Sequence, residues 1–139
     1  MGSNKIRSVY QGGMEFSTQI NEHKITIDLH KADGGNNFGT SPKKLMLVSL
    51  AGCTGVDIIG ILNKMKVDFR DFTIDVEAHL TEEHPKIYDE VTIIYNIKVD
   101  KKNEFNVRKA VDLSQDKYCG VSEMFRAFAN LSSKINYLS

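Results

Sequence analysis

Leu50-Ala51-Gly52-Cys53-Thr54-Gly55-Val56-Asp57 lies inside a long apolar stretch, and its small residues decide how the chain folds. Glycine inside a helix costs roughly 1 kcal/mol relative to alanine, so Gly52, Gly55 and Gly60 together cost on the order of 3 kcal/mol. Another backbone pressing close to the helix, or a reacting molecule approaching the sulfur of Cys53, would offset that cost. Just upstream, Thr40-Ser41-Pro42 supplies a hydroxyl cap and a first-turn proline, so the pattern predicts a helix over 42–65. Its apolar residues, among them Leu45, Leu50, Ile58 and Leu62, fall on nearly every side. Such a helix is expected to be buried on most sides, with other elements wrapped around it.

On the N-terminal side, Met14, Phe16 and Ile20 alternate with polar residues, and so do Ile25, Ile27 and Leu29. A period of two is a strand half buried in a sheet. An earlier strand is expected over 6–10, turning at Gly12-Gly13, with a hairpin at Asn21-Glu22-His23. Residues 31–41, with Gly34-Gly35-Asn36-Asn37 and Gly39, form a loop. On the C-terminal side, Phe72 to Thr81 and Val91 to Val99 alternate cleanly, joined by a long hairpin containing Pro85. Helices are expected over 104–116 and 119–129, and a last strand over 133–138. The order β-β-β-α-β-β-α-α-β, with strand pairs mostly antiparallel, is an α+β fold in one domain, 1–139.

Bulk properties narrow the function. The 139 residues carry 18 Lys+Arg against 18 Asp+Glu, so no net field draws the chain to nucleic acid or to an anionic membrane. Lys64 and Lys66 end the longest apolar run, and no membrane span is expected. Met1-Gly2-Ser3 is compatible with a cloning remnant, and no apolar signal core follows it. The expected compartment is therefore a reducing cytoplasm, in which a structural disulfide is disfavoured but a catalytic one is permitted.

Of the two cysteines, Cys53 lies well inside its helix and Cys119 lies in Lys117-Tyr118-Cys119-Gly120-Val121-Ser122. A thiol attacks as thiolate, which needs a nearby cation or a helix N-terminus. Asp57, one turn after Cys53, raises the thiol pKa, so a cation must come from elsewhere in the fold or from a second subunit. Cys119 precedes an apparent helix start, where exposed N–H groups stabilise negative charge. The bland reading of both is as small apolar fillers. His23, His30, His79 and His84 show no metal-ligand spacing, so neither a metal site nor a cofactor is expected. Only His30 and His79 could serve a Cys–His pair, and nothing in the sequence orients them.

Gly39-Thr40-Ser41-Pro42, the stretch around Cys53 and Tyr118-Cys119-Gly120-Val121-Ser122 together resemble the OsmC/Ohr family of osmotically inducible and organic-hydroperoxide-resistance proteins. The residues Ala110-Val111-Asp112-Leu113-Ser114 place the resemblance nearer a less characterised branch. The resemblance implies an intertwined homodimer in which curved, mostly antiparallel sheets wrap central helices, with the active sites at the subunit interface. It also implies a cysteine-based peroxidase acting on organic hydroperoxides. In that scheme Cys53 is peroxidatic, Cys119 is resolving, and an external dithiol such as a lipoylated protein restores the pair. The namesake groups follow the helix-start proline with an acidic residue that works with an arginine. Here Lys43-Lys44 follow Pro42, residues 31–41 hold no arginine, and Gly120 stands where proline is common. The activating cation is thus left open among Lys43, Lys44, Arg7 and Arg126. The competing expectation is a non-catalytic protein that binds a hydrophobic ligand or senses redox state, its cysteines poorly activated.

Overall fold

A computed structural model describes residues 2–139, and Met1 of the suspected remnant lies outside the described residues. The α+β class is borne out by two three-stranded sheets and three α-helices among the described residues. The chain divides into two compact units, residues 1–47 and 48–139.

In the first unit, β1 (Ser8–Gly12), β2 (Glu15–Ile20) and β3 (His23–Ile27) form an antiparallel meander. Tyr10 pairs with Phe16, and Ile20 pairs with His23, so the second turn is the two residues Asn21-Glu22 and His23 already belongs to β3. The loop after β3 is organised by a buried carboxylate that period-two reading places on a polar strand face. Asp28 accepts the backbone N–H groups of Leu29 at 2.7 Å, Phe38 at 3.1 Å and Asn36 at 3.3 Å. The Phe38 N–H contributes most to holding this carboxyl below its ordinary value, with burial working against it. Two glycines let the loop close. A Cβ at Gly35 would stand 2.1 Å from the Leu29 carbonyl oxygen, and one at Gly39 would stand 2.2 Å from that of Thr26.

Helix α1 (Pro42–Lys64) begins at the proline and runs 23 residues. Within the single chain the expected burial on most sides is not met. Its buried residues are Leu50, Thr54, Ile58 and Leu62, while Val48 is 64% and Val56 73% exposed. The buried four step by one turn each, so they form a single line, and the other apolar faces stay open to solvent. A further correction concerns length. The expectation of no membrane-length run does not hold for α1, which is long and apolar enough to cross a bilayer by length and composition. Cβ atoms at Gly52 and Gly60 would meet nothing within 4 Å, so in this chain no close-packed backbone offsets their helical cost.

The core of the second unit is its sheet, ordered β4 (Arg70–Leu80), β5 (Tyr88–Lys98), β6 (Asn130–Tyr137). β4 and β5 are antiparallel, whereas β5 and β6 are parallel. A parallel pair requires a crossover, and this one carries α2 (Glu104–Leu113), a π turn (Ser114–Tyr118) and α3 (Gly120–Arg126). As the central strand, β5 buries Ile93, Tyr95 and Ile97 together with Val91 and Ile94. Ile94, on the polar side of the alternation, is buried as well, on the central strand between its partners Asp75 of β4 and Lys134 of β6. The predicted helix over 104–116 widens into the π turn after Leu113, and that over 119–129 ends at Arg126.

Candidate active site

The two cysteines lie in the second unit, and the fold brings them together. α1 carries Cys53 and Asp57 four residues apart on one face. Cys119 stands at the head of α3, where its Sγ accepts the backbone N–H of Ser122 at 3.4 Å. The two sulfurs and an Asp57 carboxylate oxygen all lie within 4.8 Å of one another. Both thiols are free, Cys53 half-buried and Cys119 buried. A disulfide bond is about 2.05 Å long, so a modest approach of one sulfur to the other would close it.

The π turn sets up the floor of this site. One wide turn inserted after α2 carries Ser114 and Gln115 into the core, and such insertions often occur at functional sites. Ser114 Oγ donates to Asp57 Oδ2 at 3.1 Å. A hydroxyl has one proton to give, so Ser114 must accept in its 2.7 Å bond with Thr54 Oγ1. Thr54, having donated there, accepts in its 2.7 Å bond with Tyr95 Oη. Tyr95 in turn accepts from Gln115 Nε2 at 3.0 Å, and the same amide reaches Ser122 Oγ at 3.1 Å. The hydroxyls therefore form a one-way row from Gln115 through Tyr95, Thr54 and Ser114, ending on the Asp57 carboxylate. Burial pushes the Tyr95 phenol up to about 12, which keeps it protonated and donating.

The electrostatics of Cys53 run against easy ionisation. Burial raises its thiol most, the Val121 backbone N–H opposes this, and the neighbouring Cys119 and Asp57 raise it further. Of the candidate cations, Arg126 is committed elsewhere. Its guanidinium donates to Glu123 Oε1 at 3.0 Å and to the backbone carbonyl of Gln115, bracing the π turn. His79 pairs with Asp89 at 2.7 Å on the β4–β5 hairpin. A groove of about 400 Å³ runs beside Asp57, lined by Val56, Gly60, Ile61, Leu113 and Tyr118, with Lys64 at its rim. Tyr118 also borders a second groove of about 310 Å³ that reaches Cys119.

Thr54, Tyr95, Ser114 and Gln115 are the site residues that sequence reasoning missed. Thr54 offered one signal: it is the lone hydroxyl on the Leu50, Ile58, Leu62 line of α1.

Comparison with known proteins places the chain. A model of the family described as OsmC-like protein matches residues 33–134. Protein YhfA of Escherichia coli (strain K12) is 27% identical over 110 residues, 79% of each chain. The crystal structure of a hypothetical protein from Aquifex aeolicus VF5 superposes with a TM-score of 0.80 at 29% identity, covering 100% of both chains. An organic hydroperoxide resistance protein from Elizabethkingia anophelis superposes with a TM-score of 0.71 at 13% identity, over 99% of both chains. At that identity the last likeness is one of fold.

Proposed function

The chain belongs to the OsmC-like protein family, and on that footing we propose that it reduces organic hydroperoxides with a two-cysteine cycle, residues 1–139 acting as one domain. The observation that carries this reading is the meeting of Cys53 and Cys119, remote in sequence, within 4.8 Å. The Cys53 thiolate attacks the O–O bond of the hydroperoxide, forming an S–O bond, and the departing alkoxide takes a proton to become the alcohol. Cys119 then attacks the sulfenic sulfur and releases water as the disulfide forms. An external dithiol, such as a lipoylated protein, returns both sulfurs to thiols by exchange. The exposures fit the roles, since Cys53 is half-buried and within reach of substrate while Cys119 is buried. The Val56, Ile61 and Leu113 groove gives an alkyl group an apolar surface beside Asp57.

The same reading includes a homodimer working in the cytoplasm. A second copy would cover the open faces of α1, where Val48 and Val56 are exposed and Gly52 and Gly60 leave room for a neighbouring backbone.

Reduced protein given an alkyl hydroperoxide and dihydrolipoamide is expected to turn over, and without the dithiol to stop at a Cys53–Cys119 disulfide. Cys53→Ser is expected to abolish peroxide consumption altogether. Free thiols surviving excess hydroperoxide would remove the proposal. They would favour the second reading, a non-catalytic hydrophobic-ligand protein with poorly activated cysteines, which draws its support from the raised Cys53 thiol.

A further inference from the structure

Cys53, Asp57 and Cys119 come from α1 and from the crossover before α3, and local spacing of the kind that marks metal sites does not link them. Their geometry nevertheless suits an ion. Zinc–sulfur bonds of about 2.3 Å meeting at the tetrahedral angle place two sulfurs about 3.8 Å apart. The three ligand atoms lie within 4.8 Å of each other, so contractions of at most about 1.3 Å bring them onto one centre.

Each ligand is also held from behind. Ser114 donates to Asp57, Ser122 N–H points to Cys119 Sγ, and Val121 N–H points to Cys53. Donors of this kind orient metal ligands and stabilise their anionic forms. Two thiolates and a carboxylate would gather three negative charges, and Arg126, the cation of the same segment, is tied to Glu123 and Gln115. Two sulfurs select a thiophilic ion over magnesium or calcium, and three protein ligands leave a fourth position for water.

We propose that the reduced form of this protein binds one thiophilic divalent cation, Zn²⁺ by preference, through Cys53 Sγ, Cys119 Sγ and the Asp57 carboxylate. Binding releases the two thiol protons to solvent, and closure of the Cys53–Cys119 disulfide removes both sulfur ligands. The site does not depend on peroxide turnover and stands or falls separately from it.

The test uses the full-length reduced protein titrated with Co²⁺, followed by displacement with Zn²⁺. One equivalent per chain is expected, with a near-ultraviolet thiolate-to-cobalt charge-transfer band and the visible absorption of a tetrahedral centre. Cys53→Ser and Cys119→Ser should each lose tight binding, and the oxidised protein should bind no ion. Asp57→Asn keeps an oxygen for Ser114 and preserves the fold. It should weaken binding by roughly a hundredfold, the upper end of what altering a supporting residue does. Ser114→Ala should weaken it by about tenfold with both sulfurs still bound. Absence of the charge-transfer band, an octahedral spectrum, or Asp57→Asn binding as tightly as the unaltered chain would overturn the proposal.

Discussion

The two sheets differ in how they hold their apolar residues. In the β4–β5–β6 sheet, Val91, Ile93, Tyr95 and Ile97 are 0–1% exposed. In the β1–β2–β3 sheet every residue of β1 is exposed, Phe16 is 41% and Tyr10 60% exposed, and Thr18 is the strands' one buried residue. Tyr10 and Phe16 still stack on each other, ring centres 5.6 Å apart. A sheet with one apolar face normally needs a covering layer. The second sheet has its cover in this chain, and in the proposed homodimer a second copy would cover the first.

The largest effect expected tests that contrast directly. Ile93→Ala should cost about 2–5 kcal/mol in urea unfolding at any protein concentration, because it empties a core position. Phe16→Ala should cost within roughly 0.5 kcal/mol in dilute solution, where the chain stands alone. Dimerisation makes stability rise with protein concentration, and Phe16→Ala should flatten that rise. A Phe16→Ala protein whose concentration dependence equals that of the unaltered chain would break the comparison.

Tyr95→Phe should come next, at about 1–3 kcal/mol, because it deprives Gln115 of one acceptor and Thr54 of one donor inside the core. Thermal unfolding reads this loss, and a change indistinguishable from zero would mean that the hydroxyl row is not a structural unit.

The smallest difference is expected from Asp28→Asn, which keeps one acceptor oxygen for the loop. The folded carboxyl sits below its ordinary value of 3.8, so its contribution is fully present above that value and is lost as pH falls through the folded one. The stability gap between Asp28→Asn and the unaltered chain should therefore be steady at neutral pH and close as pH falls below about 4, as read by denaturation across pH. A gap that widens on acidification would show that the charge does not hold this loop.

Much of the fold was legible because its signals are local. Alternation along β4 and β5 and Pro42 at the start of α1 require only neighbours in sequence. Exposure of α1 was not legible, since an apolar helix reads the same whether its cover comes from its own chain or from another. The site divides along the same line. Cys53 and Asp57 share a helix face by spacing alone, whereas the partnership with Cys119 entered through the family resemblance. Thr54, Tyr95, Ser114 and Gln115 stayed invisible because their bonds join positions 20 to 61 residues apart. No periodicity reports a contact of that range. The π turn escaped for a related reason: one residue added to a helical repeat leaves composition unchanged and alters only which side chains face inward.

The row of hydroxyls ending on Asp57 gives this core a polarity, like a line of arrows all drawn one way. Both ends pin that direction, because the Gln115 amide nitrogen can only donate and the ionised carboxylate can only accept. Neutralising the carboxylate, by a proton or by substitution, would loosen one anchor and leave the other, so the row would keep its heading while its bonds weaken back toward the Tyr95 phenol. Isotope-sensitive vibrational spectroscopy of that phenol would record a change of charge at Asp57 with no heavy atom displaced.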